Sequence, residues 1–251
     1  CVMSALMLSP LIIVAKREWR GYFATPLAYV FLVVFLVLCG FATFELGSFY
    51  QRNQADLQVF FSYQPWLYLF LVPAIAMRIW AEERKSGSIE LLLTLPLKLR
   101  TIVLAKFLAA WLFVALALAL TFPLWLTVNY LGEPDNGAIL AAYLGSWLMA
   151  GAFLSIGCCL SAASKSQVIV FVLTVSVCFL FILLGVPQLL NSLATVLPQI
   201  LVDAIAQLSL LTHFDAISRG VLDLRDVLFY VLFIACWLTA TGIVIEQKKA
   251  E

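Results

Sequence analysis

The most constraining feature of this chain is a series of long runs that contain no Asp, Glu, Lys or Arg. The runs hold 24 residues between Arg20 and Glu45, 21 between Asp56 and Arg78, 26 between Lys106 and Glu133, 29 between Asp135 and Lys165, 37 between Lys165 and Asp203, and 19 between Asp226 and Glu246. A transmembrane helix needs about 20 apolar residues. Each run can therefore hold one membrane span, and their unalternating character is unlike the strands of an outer-membrane barrel.

The amino-acid composition also indicates a membrane protein. Of 251 residues, 64% are apolar and 12% are charged, against roughly 45–50% and about 25% in soluble domains. So few charges could not cover the surface of a soluble fold of this size. The net charge of +1 also argues against a nucleic-acid-binding protein, which would carry a basic face.

The run of 37 residues is too long for one span, and Gly185, Pro187 and Pro198 interrupt it. We therefore predict one span there, followed by short, apolar helices over 187–215 that do not cross the membrane. The predicted fold is all-α: a single polytopic membrane domain over 1–251, with no internal repeat. Its six predicted transmembrane helices cover 26–45, 59–81, 102–129, 138–162, 167–186 and 226–246. Kinks are expected at Pro65, Pro73 and Pro123.

The distribution of Lys and Arg predicts the orientation. With six spans, both termini lie on the same side, and that side holds 12 of the 15 Lys and Arg residues. The other side holds Arg52, Arg219 and Arg225. By the positive-inside rule, the termini and the loop 82–101 are cytoplasmic.

The N-terminal region predicts an amphipathic helix over 9–24 that lies in the membrane interface. Ser9 and Pro10 are a typical helix start, with Ser as the cap and Pro at the first helical position. The basic stretch from Lys16 to Arg20 follows an apolar segment, unlike the order in a signal peptide. Leu11, Ala15, Trp19 and Tyr22 fall on one face, and Lys16, Arg17 and Arg20 on another. The alternative is an ordinary basic flank of the first span.

Known catalytic and metal-binding motifs are missing from the sequence. It has no Walker loop and no H-E-x-x-H motif, and its single histidine, His213, cannot assemble a metal site alone. The span interiors carry almost no ionisable side chains, which carriers and channels generally use. We therefore predict no catalytic residues, no metal site and no cofactor bound by this chain. The energy for any transport would come from a partner.

The cytoplasmic segment from Met77 to Leu97 is the most informative. Arg78 and Glu82 are four residues apart and are expected to pair. Gly87 permits a sharp turn, after which Ser88 caps a new helix and Glu90 lies in its first turn. Pro96 ends that helix after about seven residues, too few to cross a membrane. Its apolar edge, Ile89, Leu92 and Leu93, can bind a groove on a partner protein. It can equally pack on its own bundle as a re-entrant or interfacial loop.

Charged residues also cluster before the last span. Asp215 and Arg219 are spaced to form an ion pair on a helix. Asp223 and Asp226 lie where the last span begins, and Asp226 suits the positive end of that helix. Structural capping is the main interpretation. The alternative is a direct substrate role, with His213 as a pH-sensitive contact.

Three stretches resemble the permease subunits of type-2 ATP-binding-cassette (ABC) exporters, particularly the branch that contains the gliding-motility ABC permease. They are Lys16 to Phe23 continuing through Pro26 to Val30; Met77 to Leu97, with its A-E-E-R-K-S-G-S-I-E-L-L-L core; and His213 to Asp226. The second stretch is the most specific, and the resemblance extends from about Lys16 to Ile245.

The resemblance implies roles for particular residues. Gly87 to Leu93 correspond to the coupling helix, which docks on the nucleotide-binding subunit, and Glu82, Glu83 and Arg84 precede it. The helix with Lys16, Arg17, Trp19 and Arg20 packs beside it, and the helices over 187–215 are extracytoplasmic. Two permease chains, identical or related, pair in the bacterial inner membrane. ATP and Mg²⁺ belong to the two ATPase subunits, and an extracytoplasmic accessory subunit is a further expected partner.

The predicted function is therefore that of a non-catalytic permease subunit that exports a hydrophobic or amphipathic substrate. Within the family, the alternative is a complex for envelope-machine assembly or for maturation of a secreted metalloenzyme. Outside the family, the alternative is a membrane scaffold without transport. A secondary carrier is disfavoured because the spans lack buried charges.

Overall fold

A computed structural model describes residues 2–52, 56–87, 97–195 and 198–248. In this part of the chain the secondary structure is helical, without strands. The helices are α1 (Val2–Phe23), α2 (Pro26–Phe41) with a π-helical extension (Ala42–Leu46), α3 (Gln58–Ala76), α4 (Ala81–Ser86), α5 (Leu99–Ala119), α6 (Phe122–Leu131), α7 (Asn136–Ala163), α8 (Gln167–Leu183), α9 (Pro187–Ala194), α10 (Gln199–Gln207), α11 (Leu210–Ser218) and α12 (Leu224–Gln247). The all-α prediction is confirmed.

Five helical stretches in the described residues are long and apolar enough to cross a membrane. They are Ala28–Leu46, Gln58–Ser86, Leu99–Leu131, Asn136–Ala163 and Leu224–Gln247. Two bent helix pairs, α8 with α9 and α10 with α11, raise the number to seven if each pair is one span. The protein is thus a multi-pass membrane protein. Six spans lie within this range, and that number remains a prediction.

Helix α7 is the centre of the bundle, because α3, α5, α8, α11 and α12 all pack against it. Close packing depends on small residues along α7, as in many membrane bundles. At Gly157, a Cβ atom would lie 2.3 Å from the Cβ atom of Ala76 on α3. At Gly151, it would lie 2.7 Å from the Trp111 ring on α5. Bulkier residues at these positions would push the helices apart.

The second and third predicted spans each contain two successive helices. Helix α3 contains Pro65 and Pro73, ends at Ala76 and is followed by a turn before α4. Helix α5 ends at Ala119, and α6 restarts with Pro123 in its first turn. The predicted break at Pro123 is therefore confirmed. The span predicted over 59–81 lies within the apolar stretch Gln58–Ser86. Its regular helix ends at Ala76, and the turn that follows donates backbone hydrogen bonds to Ser161 of α7.

Helix α1 differs from its prediction in where it begins. It starts at Val2, and Pro10 lies inside it, so Ser9 and Pro10 do not start the helix. Proline removes only one backbone hydrogen bond there, and the residues before it continue the helix. The predicted facing is correct: Trp19 and Tyr22 are half-buried, while Lys16, Arg17 and Arg20 are exposed. The buried face packs mainly on α5.

The short helices predicted over 187–215 are present as α9, α10 and α11. Val202 is a buried residue of α10, and Leu210, His213, Phe214 and Ile217 are buried residues of α11. The 65° bend between α8 and α9 coincides with Gly185 and Pro187, whereas the 70° bend between α10 and α11 lies at Leu208 and Ser209, where no Gly or Pro predicts it.

Candidate functional site

Lys106 of α5 is the centre of an ionic cluster that joins three helices. Its ammonium group lies 3.1 Å from Glu18 of α1 and 2.7 Å from Glu83 of α4. The Lys106 side chain is only 4% exposed, and its Nζ atom lies 5.4 Å from the centre of the Trp80 ring. A buried charge is tolerated only when it is paired. The two carboxylates are therefore what permits a lysine at this position.

The electrostatics of Glu18 reflect this position. Burial raises the pKa of Glu18, but the positive charges of Lys106 and Arg17 outweigh burial and hold it below its usual value. Arg17 itself is exposed and pairs with Glu18 at 2.8 Å. Glu18 therefore stays ionised at neutral pH, and its carboxylate can form the ion pair with Lys106.

A second set of contacts fixes the turn between α3 and α4 to the end of α7. The Ser161 hydroxyl accepts hydrogen bonds from the backbone N–H groups of Trp80 and Ala81, both at 3.0 Å, and donates to the carbonyl of Met77 at 3.3 Å. These donors would otherwise be orphaned at the start of α4. The Trp80 indole N–H donates to the Cys158 sulfur at 3.2 Å.

Arg84 adds a further contact to the same end of α7. Its guanidinium donates to the carbonyl of Ala162, one of the carbonyls that a helix leaves without an internal partner at its C-terminus. Helix α4 is thus held by α1 and α5 through Glu83, and by α7 through Ser161 and Ala162. A displacement of α4 must move or break these contacts.

The described residues include only part of the predicted coupling segment. Gly87 ends α4 in the left-handed conformation, with φ of 73°, which produces the turn expected there. Glu82 is exposed, and Glu83 and Arg84 are half-buried. The predicted pair of Arg78 and Glu82 is wrong: it is not among the ion pairs of the described residues. Ser88, Ile89, Glu90, Leu92 and Leu93 lie outside the described residues.

Sequence reasoning missed the partners of Glu83. Lys106 and Ser161 lie within predicted spans, over 102–129 and 138–162, and Glu18 lies within the predicted helix 9–24, but no local pattern connects the three. The sequence does contain one signal for these contacts, which is Lys106. It lies four residues after the predicted start of the span 102–129 and directly before a run of 26 uncharged residues. An ionisable residue that close to a span interior generally has a specific partner.

A second polar cluster lies around His213 of α11. The His213 Nδ1 atom lies 2.6 Å from an oxygen of Asp226 on α12, and Nε2 lies 2.9 Å from the carbonyl of Gln207. The ring stacks on Phe229 at 4.0 Å. Because a carbonyl oxygen only accepts, Nε2 carries a proton. A further proton must then lie between Nδ1 and Asp226, because two acceptors would repel at that distance.

The other residues of this cluster have separate roles. Asp223 caps α12 by accepting from the N–H of Arg225 at 3.1 Å, as predicted. Asp226 lies in the first turn of α12, as expected, but its side chain binds His213. Asp215 and Arg219 do not form the predicted ion pair among the described residues. Those residues also contain no group of three or more potential metal ligands from His, Cys, Asp and Glu.

Comparison with known families decides the class of this protein. The family described as ABC-2 family transporter protein matches residues 12–239, which is most of the chain. The chain belongs to the ABC-2 transporter family. Members of this family are membrane transport components that associate with an ABC ATPase subunit and are generally non-catalytic. No match was found among curated proteins. The ABC-2 permease prediction is thus confirmed, and the gliding-motility branch stays a prediction.

Proposed function

We propose that this ABC-2 family protein is the permease subunit of a type-2 exporter and couples ATP hydrolysis by a separate subunit to substrate export. The main support is the cluster in which Lys106 binds both Glu18 and Glu83. It connects α4, which precedes the predicted docking segment 87–93, to helices α1 and α5. When the ATPase subunit moves, it would displace the docked segment. The contacts of α4 would then transmit this displacement to the helix bundle.

The proposed mechanism is mechanical. ATP binding closes the two ATPase subunits against each other. The docking segment of each permease chain, together with α4, moves with the ATPase groove that binds it. Glu83 transmits the displacement to Lys106, while Ser161 and Arg84 transmit it to α7, the central helix of the bundle. Such a change is driven only if ATP binds the two conformations with different affinity. This chain's residues would transmit force and would not take part in ATP chemistry.

The proposed assembly contains two permease chains, two ATPase subunits and, where one exists, an extracytoplasmic accessory subunit. In a bacterial cell it would lie in the inner membrane, with both termini cytoplasmic and α9 to α11 on the outer side. The proposed substrate is hydrophobic or amphipathic. The support is the scarcity of charged groups within the candidate spans, since such a path would not compensate a strongly charged cargo.

The experiment separates docking from coupling. The tagged chain is purified from its native membranes with the ABC ATPase subunit that accompanies it, and ATPase activity is measured after reconstitution in lipid. We expect Ile89→Asp to lose the ATPase subunit. We expect Lys106→Met to retain it but to lose most of the stimulation that the permease gives to ATP hydrolysis.

Two controls make the result specific. Lys165→Met removes an exposed lysine and should leave both docking and stimulation unchanged. The triple variant Lys106→Met, Glu18→Gln, Glu83→Gln removes the ionic contacts without leaving a buried charge. If this folded triple variant keeps full stimulation, the ionic cluster is not the coupling element. If the wild-type chain purifies with no ATPase, the scaffold function is favoured.

A further inference from the structure

A cavity of about 410 Å³ lies beside the ionic cluster and is lined by α1, α2, α3, α4 and α5. Its size is within the range of about 300–1,000 Å³ typical of small-molecule sites. Most of its wall is apolar, formed by side chains such as Phe31, Val34, Leu71 and Ile75. The α2 wall from Ala28 to Val34 extends about 9 Å along its helix axis, so the apolar part can hold a length of acyl chain.

One end of the cavity is ionic. Arg78, Glu82, Glu83, Lys106 and Glu18 line it, which gives two positive and three negative charges. Lys106 is already bound to Glu18 and Glu83. What remains for a ligand is the Arg78 guanidinium, together with the carboxylates of Glu82 and Glu83.

Two buried atoms at this end lack partners in the described part of the chain. They are Nε of Arg78, a donor, and Oε2 of Glu83, an acceptor. Leaving such a group unpaired costs more than a typical hydrogen bond contributes. A ligand that supplies both an anionic acceptor and a cationic donor would satisfy both atoms at once. A purely anionic headgroup would satisfy Arg78 but meet the carboxylates unfavourably.

We propose that this cavity binds a membrane phospholipid with a primary-ammonium headgroup. One acyl chain lies between α2 and α3, the phosphate accepts from Arg78, and the ammonium donates to Glu83. The occupant comes from the leaflet on the α4 side, because the ionic end adjoins α4 and the apolar wall leads into the bundle. The site does not depend on the proposed ATPase coupling, and the lipid is not required to be the exported substrate.

Native mass spectrometry of the purified chain in detergent tests the proposal. Phosphatidylethanolamine, phosphatidylcholine and phosphatidylglycerol with identical acyl chains are titrated separately. The choline group carries the same charge but cannot donate a hydrogen bond, and the glycerol group has no cation. We expect phosphatidylethanolamine to bind about tenfold more tightly than either, which corresponds to one hydrogen bond to a charged group.

Variants locate the site. Ala74→Phe fills the apolar wall, and Arg78→Met removes the phosphate donor; each should lower phosphatidylethanolamine binding about tenfold. Ala235→Phe, on an exposed position of α12, is the matched control and should leave binding unchanged. Val34→Phe replaces Ala74→Phe if the latter does not fold. Equal binding of the three lipids, or full binding by the folded cavity-filling variant, would overturn the proposal.

Discussion

Two buried polar clusters lie beside α7, one near its C-terminal end and one beside its N-terminal half, and they differ in kind. Ser161, near the C-terminal end, holds the turn before α4, beside the cluster of Lys106, Glu18 and Glu83. Toward the N-terminal half, Gly145 packs against Ile217 of α11, the helix that carries His213. Gly145 and Ser161 are about 24 Å apart along the helix axis. A single rigid helix therefore connects two differently built polar sites.

The difference lies in what each contact requires. The Lys106 cluster has one cation shared by two carboxylates, whereas His213 and Asp226 form a contact between one ring and one carboxyl group. The α4 end thus joins three helices through one shared cation, and the other end joins α11 to α12 through a single contact between two side chains.

Lys106→Met should have the largest effect on stability, because it leaves Glu18 and Glu83 without their buried partner. Breaking a buried ion pair by removing one member costs about 3–5 kcal/mol. We expect the detergent-solubilised variant to unfold at a clearly lower temperature, measured by differential scanning fluorimetry. Lys165→Met, at an exposed position, should unfold like the wild type. An unchanged Lys106→Met would show that the cluster contributes no net stabilisation.

Gly157→Ala should have the next largest effect, because the new Cβ atom would overlap Ala76 Cβ of α3 at 2.3 Å. Overpacking a well-packed core costs about 1–3 kcal/mol. Neither group at this contact is flexible, so α3 and α7 must separate next to the turn that Ser161 holds. Gly242→Ala is the matched control, since its Cβ atom would meet nothing within 4 Å. Equal unfolding temperatures for the two variants would contradict this packing.

The pair of His213 and Asp226 is best measured as a double-mutant cycle with His213→Gln and Asp226→Asn. Residues in direct contact show coupling energies of about 0.5–3 kcal/mol. We expect about 2 kcal/mol here, because the two side chains are 7% and 12% exposed and their atoms are 2.6 Å apart. The same cycle on Asp215 and Arg219, which form no close ion pair in the described structure, should give a clearly smaller value. Equal coupling in the two cycles would show that the first contact is not specific.

The sequence was sufficient for the parts of the fold that depend on local pattern. Runs of uncharged residues located the long helices, and Pro123 located the break between α5 and α6. Asp223 and Gly87 were recognised because a helix cap and a left-handed turn each require particular residue types. The exposed and buried faces of α1 followed from helical periodicity.

The contacts between helices were beyond sequence reasoning. Glu18 and Lys106 are 88 residues apart, and no local pattern places them together. Ser161 accepts hydrogen bonds from the backbone of the turn after Ala76, and no local pattern predicts this turn inside the span 59–81. Pro10 failed as a helix start because the residues before it are good helix formers. In each case the tertiary or neighbouring context overrode the local signal.

The smallest expected effect concerns Glu18, and it tests whether Lys106 determines the protonation of Glu18. Its lowered pKa means that its stabilising contribution is complete above the unfolded-state value of 4.5 and is lost as the pH falls through the folded-state pKa. Glu18→Gln should therefore reduce stability at neutral pH, by about 1 kcal/mol for a partly exposed pair. Lys106 keeps Glu83 as a partner, which is why the loss is small. Chemical denaturation of both proteins across this pH range should show their difference constant at neutral pH and shrinking below 4.5. A difference that grew on acidification would mean that burial, and not Lys106, determines the protonation of Glu18.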